Sequence, residues 1–177
     1  PTFKGLEKEG LLYQGVLYLG LIITQEGPKV LEYNVRLGDP ETQVLLPVLK
    51  NDMGNLAEAI TTGGLNQFPF IPPDKACVGV VVAAPGYPGE YKKHLPVDLK
   101  QGQGNGSVLI FHASTYRDSS GNLKTQGGRC FTVVGMGNNI FEAASKAYAQ
   151  ISNVCFEGAW YRKDIGILLP DVPECRK

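Results

Sequence analysis

The chain has two histidines, one tryptophan, two methionines and no net charge, with 17 Lys and Arg against 17 Asp and Glu. Balanced charge leaves no chain-wide electrostatic footprint for nucleic acid or an anionic membrane, so neither is expected as a partner. No run of 18 apolar residues occurs, which excludes an ordinary membrane-spanning helix, and the opening Pro1-Thr2-Phe3-Lys4-Gly5 lacks the basic and apolar regions of a signal peptide. A cytoplasmic location is expected. His94 and His112 lack metal-site spacing. Cys77, Cys130, Cys155 and Cys175 stand too far apart for a zinc ribbon or a Cys-x-x-Cys redox site, so reduced thiols in core strands are expected. There is also no GxxxxGK[ST] loop and no dinucleotide fingerprint.

What is present fits a globular chain. Hydrophobic residues make up 43% and charged residues 19%, enough apolar surface to bury a core. The 22 glycines and 12 prolines are scattered between short apolar runs, which predicts many turns between short strands. At 177 residues the chain suits one domain, or one domain with part of another.

Residues 3–10 read as the last turns of a helix. Residues 15–24 are apolar, rich in branched side chains and bounded by glycine, which predicts a buried strand. Gln25-Glu26-Gly27-Pro28 supplies turn chemistry, and residues 29–36 resume strand character, so a hairpin is the simplest connection. Helical spacing follows over Glu41 to Leu49 and again from Asn55 to Ile60, ending at Gly63-Gly64. Phe68 to Pro73 cannot continue a helix or central strand, because its prolines fix φ and remove donors, and it is read as the linker.

Beyond it the pattern turns to strands over Ala76–Ala84, Ser107–Thr115 and Arg129–Val134, with a turn at Asp118–Asn122 and a flexible polar loop at Gln101–Gly106. One helix interrupts them. Asn139 caps it with Glu142 reaching back, and Ile140, Ala143, Ala144, Ala147, Tyr148 and Ile151 form its apolar stripe.

The sharpest local signal lies in Leu31-Glu32-Tyr33-Asn34-Val35-Arg36-Leu37-Gly38-Asp39-Pro40-Glu41-Thr42-Gln43. On a strand, Glu32, Asn34 and Arg36 point one way at about 6.6 Å spacing, while Leu31, Tyr33 and Val35 point the other. A carboxylate, an amide oxygen and a guanidinium in a row suit a magnesium-bound polyphosphate. Spacing alone is equally satisfied by an exposed strand face carrying a solvated ion pair.

Residues 15–21 and 27–43 resemble the end of the ATP-grasp region of the phosphoribosylamine–glycine ligase (glycinamide ribonucleotide synthetase) family. Gly86-Tyr87-Pro88-Gly89, Thr125-Gln126-Gly127-Gly128-Arg129 and Tyr161-Arg162-Lys163-Asp164-Ile165-Gly166 resemble that family's C-terminal domain. The resemblance implies an α+β fold. Residues 1–66 would end an ATP-grasp domain, with antiparallel strands and helices, and residues 67–177 would form a β-rich, barrel-like domain with one long helix. It implies a ligase of de novo purine synthesis in which ATP phosphorylates the glycine carboxylate. The amine of 5-phosphoribosylamine then displaces phosphate to give glycinamide ribonucleotide.

Carried over by position, Glu32 and Asn34 correspond to the Mg²⁺ (or Mn²⁺) ligands. Arg36 corresponds to the arginine facing the ATP phosphoryl group. Asp39 lies where glycine or the acceptor amine would approach, or else caps the following helix, and Glu41 is read as a favourable first-turn charge. Arg129, Arg162 and Lys163 are candidates for the ribose 5-phosphate. A hairpin turn at Gly127-Gly128 and a solvated Arg162-Lys163-Asp164 ion cluster are the structural alternatives. The chain departs from the family at Leu37, where Phe is usual, at Gln126, where Asn or His is usual, and after Gly166.

The family's N-terminal substrate domain and most of its nucleotide clamp would precede Pro1, so this piece is expected to need that region and to be inactive by itself. Another ATP-grasp carboxylate–amine ligase and a non-catalytic interaction module are the competing readings.

Overall fold

The computed structural model describes residues 1–100 and 106–167. The loop expected at 101–106 lies outside them save for Gly106, as does Cys175. The elements are α1 (Thr2–Lys8), β1 (Tyr18–Thr24), β2 (Gly27–Asn34), α2 (Glu41–Leu45), α3 (Met53–Thr61), β3 (Ala76–Ala83), β4 (Asp98–Leu99), β5 (Val108–His112), β6 (Thr115–Arg117), β7 (Leu123–Thr125), β8 (Arg129–Gly137), α4 (Ile140–Gln150) and β9 (Val154–Cys155). They fall into two compact units, one of Pro1–Asp39 with Leu49–Pro72, the other of Pro40–Val48 with the chain from Pro73.

In the first unit β1 and β2 form an antiparallel hairpin, with Tyr18 opposite Asn34 and Thr24 opposite Gly27. The Thr24 hydroxyl closes the turn, donating to Gly27 O at 2.8 Å and accepting from Glu26 N at 3.2 Å, while Gly27 takes φ of +103°. Gly20 pairs with Glu32 but Leu21 pairs with Val30, so Leu31 is an extra, bulged residue on β2.

Asp52 caps α3 by accepting from Asn55 N at 2.9 Å. The proline-rich linker is tied down by Asn51, whose side chain donates to Pro69 O at 2.9 Å and accepts from Ile71 N at 2.8 Å. A segment short of its own N–H donors thereby keeps its backbone groups paired.

The strand expected to be buried over 15–24 is shorter and largely exposed. Strand β1 begins at Tyr18 and leaves Leu21, Ile22 and Ile23 exposed, Ile23 by 77%. The β propensity of the run is real, but a two-stranded hairpin has no second layer of its own, and nothing among the described residues buries these side chains.

The core lies in the second unit. Central strand β8 pairs antiparallel with β3 on one edge and β5 on the other. Residues Cys130 to Val134 of β8 are all buried, as a strand covered on both faces requires. On β3 the alternation is clean, with Val78, Val80 and Val82 turned into the core and Gly79 facing Val44 of α2, where a Cβ would sit 2.8 Å from Val44 Cγ1. Burying each such valine contributes about 1.5–3 kcal/mol.

Helix α4 packs through Ala143 and Ala147 directly against the backbone of β8 at Gly135 and Gly137, while Ala144 turns its Cβ to Gly166. Asn139 caps it, accepting from Glu142 N at 2.9 Å, and Glu142 in turn accepts from Asn138 N at 2.8 Å, one residue before the expected position. Ile140, assigned to the apolar stripe, is 43% exposed: it is the first residue of the helix, one position before the turn that meets Gly137 through Glu142 and Ala143. Two ribbons, β4 with β9 and β6 with β7, complete this unit. Among the described cysteines, Cys77, Cys130 and Cys155 are free thiols.

Candidate functional site

The two strand carboxylate and amide positions come together. Asn34 donates through Nδ2 to Glu32 Oε1 at 3.0 Å, so the two side chains share one face of β2. Tyr33 and Val35 turn to the other face, where they line an open apolar groove of about 740 Å³ with Gly5 and Leu6 of α1 and with Leu11 and Tyr13. Across the hairpin from Glu32 stands Gly20, and a Cβ there would lie 2.9 Å from Glu32 Cγ.

With its amide nitrogen given to Glu32, Asn34 keeps Oδ1 as an acceptor, and Glu32 keeps a second carboxylate oxygen. Two hard oxygens of this kind fit Mg²⁺, which takes one or two protein ligands and completes its shell with water and phosphate oxygens. No cluster of three or more His, Cys, Asp or Glu exists among the described residues, so any ion held here would draw its remaining ligands from a bound nucleotide or from elsewhere in a longer protein.

Arg36 lies in the bend after β2, which ends at Asn34 rather than at 36, and its Nη1 donates to Leu37 O at 3.2 Å. It is exposed. The Tyr13 hydroxyl lies 2.7 Å from Val16 O and 3.1 Å from Val35 O, donating to both, which ties down the backbone beside Arg36. No sequence pattern announces that role. Asp39 is exposed, and the N-cap position of α2 is held by Pro40, so Asp39 does not occupy it. Glu41 lies in the first turn of α2, where its charge favours the helix dipole.

In the second unit the glycine motifs meet. Ala84 N donates to Gly128 O at 2.7 Å, and a Cβ at Gly128 would run into the Tyr87 ring, so Gly86–Gly89 packs on Thr125–Arg129. A Cβ at Gly127 would likewise strike the Ser114 side chain. Thr125 is fully buried and accepts from Leu95 N at 3.1 Å through its hydroxyl and from His94 N at 2.7 Å through its carbonyl.

Ala83 pairs with Arg129 on one edge and with Trp160 on the other, and Trp160 Nε1 donates to Ala84 O at 3.0 Å. Tyr148 of α4 fixes the last motif, donating to Arg162 O at 3.0 Å and accepting from Ile165 N at 2.9 Å. The space beside the paired glycines is taken by the Tyr87 ring at Gly128 and the Ser114 side chain at Gly127, partners that the motif itself does not announce.

Arg162 uses its guanidinium fork on Asp164, at 2.9 Å and 2.6 Å, and that pairing holds the Asp164 carboxyl below its usual range. Lys163 is exposed and Arg129 is half-buried at the start of β8. His94 lies 2.9 Å from the Tyr116 hydroxyl and His112 lies 2.9 Å from Thr115 Oγ1, contacts that anchor side chains within the unit.

The chain matches the family model described as phosphoribosylglycinamide synthetase, C domain, over residues 77–168, and that synthetase's ATP-grasp (A) domain over residues 1–42. It is 45% identical over 170 residues to the phosphoribosylamine–glycine ligase of Caldanaerobacter subterraneus subsp. tengcongensis, covering 93% of this chain and 39% of that protein. It is 42% identical to the trifunctional purine biosynthetic protein adenosine-3 of Gallus gallus, covering 93% of this chain and 16% of that protein.

The crystal structure of the Thermotoga maritima phosphoribosylamine–glycine ligase superposes with a TM-score of 0.73 at 40% identity, over 92% of this chain and 40% of that one. The biotin carboxylase domain of Hydrogenobacter thermophilus 2-oxoglutarate carboxylase, at 14% identity, covers 90% of this chain and 35% of that one, with a TM-score of 0.62, and shares the fold. The chain thus spans about two fifths of the length of the monofunctional relatives it matches. Its second unit carries the C-domain signature over more than half of the sequence, and the chain belongs to the phosphoribosylglycinamide synthetase family.

Proposed function

We propose that this chain supplies the metal-holding strand and the C domain of an ATP-dependent phosphoribosylamine–glycine ligase, a cytoplasmic enzyme of purine synthesis. Residues 1–66 close the ATP-grasp domain and residues 67–177 form the C domain. The observation that carries this reading is the Glu32–Asn34 contact at 3.0 Å on one face of β2, within the stretch that the ATP-grasp model matches.

Glu32 and Asn34 would hold Mg²⁺, or Mn²⁺, which when bound neutralises charge on the ATP phosphates. Arg36, released from Leu37 O, offers its fork to the phosphoryl oxygens as the glycine carboxylate takes the γ-phosphate and ADP leaves. The amine of 5-phosphoribosylamine then forms the C–N bond as phosphate departs, with Asp39 near the approaching amine. Arg129, Lys163 and Arg162, the last exchanging Asp164 for the ligand, are assigned to the ribose 5-phosphate. The MgADP named with the Hydrogenobacter carboxylase domain, a protein of the same fold, agrees with nucleotide and magnesium as the ligands.

The test is Glu32→Gln in the intact ligase carrying this chain. ADP release dependent on glycine and phosphoribosylamine should fall by about 10²-fold or more. Folding stability should stay within about 0.5 kcal/mol, because Glu32 is exposed. Full activity after changing Glu32, Asn34 and Arg36 together to Ala would overturn the proposal and favour a non-catalytic role.

A further inference from the structure

We infer that Gly20 is a positioning residue for Glu32, a role that rests on reading Glu32 as a metal ligand. A glycine inside a strand weakens it, so its presence between Leu19 and Leu21 needs a reason. Backbone geometry is not that reason. The described glycines with positive φ include Gly15 and Gly27 but not Gly20, so any residue could adopt its conformation.

Space is the reason. Gly20 is the direct cross-strand partner of Glu32, and a Cβ at position 20 would come 2.9 Å from Glu32 Cγ and 3.6 Å from Oε1. The Glu32 side chain therefore lies over the bare Cα of Gly20 while its Oε1 accepts from Asn34 Nδ2. The bulge at Leu31 falls immediately before Glu32 and resets the two-residue alternation there, which re-aims the side chains that follow.

The clash that a methyl group would create is with a side chain on an exposed strand. Glu32 can rotate away at little cost to the fold, but only by leaving its place beside Asn34.

The experiment is a double-mutant cycle in the intact ligase, with Mn²⁺ binding to the ADP complex followed by electron paramagnetic resonance. Gly20→Ala should weaken Mn²⁺ binding roughly 10- to 100-fold, the usual effect of disturbing the support of a metal ligand. Its thermal unfolding should remain that of the wild type. In the Glu32→Ala background the same change should cost nothing further, since no Cγ remains to be displaced. A crystal structure of Gly20→Ala should show Glu32 Oε1 parted from Asn34 Nδ2.

Unchanged Mn²⁺ binding in Gly20→Ala, an equal loss in the Glu32→Ala background, or an undisturbed Glu32–Asn34 contact would each overturn the inference. Should Glu32→Ala itself leave Mn²⁺ binding intact, the metal-ligand reading falls first and by a different measurement.

Discussion

Arg36 and Cys130 show how differently one side chain can be committed. The Arg36 guanidinium is exposed and spends one N–H on the neighbouring Leu37 carbonyl. Lysine at this position keeps the charge but loses the planar fork that, on the proposed reading, would meet two phosphoryl oxygens at once. Arg36→Lys in the intact ligase should therefore lower kcat by roughly tenfold or more, the Mg²⁺ concentration for half activation staying the same, as steady-state assays across a magnesium series would report.

Cys130 is fully buried, its thiol donating to Gly127 O at 3.3 Å, and burial pushes its pKa from 9.0 up to about 11. The folded state keeps this thiol neutral where the unfolded chain already ionises. Its contribution to stability is therefore complete below pH 9 and is lost as pH rises from there through about 11. Urea unfolding at pH 8 and pH 10.5 should show a loss of stability that is smaller in Cys130→Ala. Iodoacetamide should leave Cys130 unmodified until the chain unfolds.

At the level of elements, the contact between α4 and β8 is set by absent side chains. A Cβ at Gly137 would lie 2.7 Å from Ala143 N, and one at Gly135 would strike the Ala143 carbonyl. These neighbours are helix backbone, which has no rotamer to move. Gly135→Ala should cost about 1–3 kcal/mol through overpacking, whereas Asn139→Ala, which removes only the cap, should cost about 1 kcal/mol. Chemical denaturation of the two variants ranks them, and a smaller loss for Gly135→Ala would mean that the helix can retreat from the sheet.

The α4 helix was legible because cap, stripe and alanines all agree within a dozen residues. So was the hairpin, from the turn chemistry at Gln25–Pro28, and so was the shared face of Glu32 and Asn34, which follows from strand alternation. What the residues could not announce depends on pairing partners far along the chain. The bulge at Leu31 and the void at Gly20 exist only relative to the opposite strand. Strand alternation extended to Arg36 predicted too long a strand, because the alternating pattern continues through the bend where β2 stops. The burial of residues 15–24 was misjudged for a related reason: a strand's propensity says nothing of what covers it.

Across the whole molecule, the chemistry and the packing are unevenly distributed. The buried core and α4 belong to the second unit, while the Glu32–Asn34 pair sits on a two-stranded hairpin of the first. That hairpin exposes Ile23, Leu31 and Tyr33. The sequence has no GxxxxGK[ST] loop to cradle phosphates, and on the proposed reading its hairpin would offer two ligand oxygens to a nucleotide-bound ion that needs six. On the proposed reading, MgATP would draw its remaining contacts from the rest of the ligase, and this chain covers about two fifths of the length of its relatives. The 177-residue chain alone, given glycine, phosphoribosylamine and Mg-ATP, is accordingly expected to release no ADP above a no-protein control in a coupled assay. Sustained ADP release would mean that the strand and C domain bind nucleotide without the rest of the ATP-grasp domain, and would overturn the proposed dependence on it.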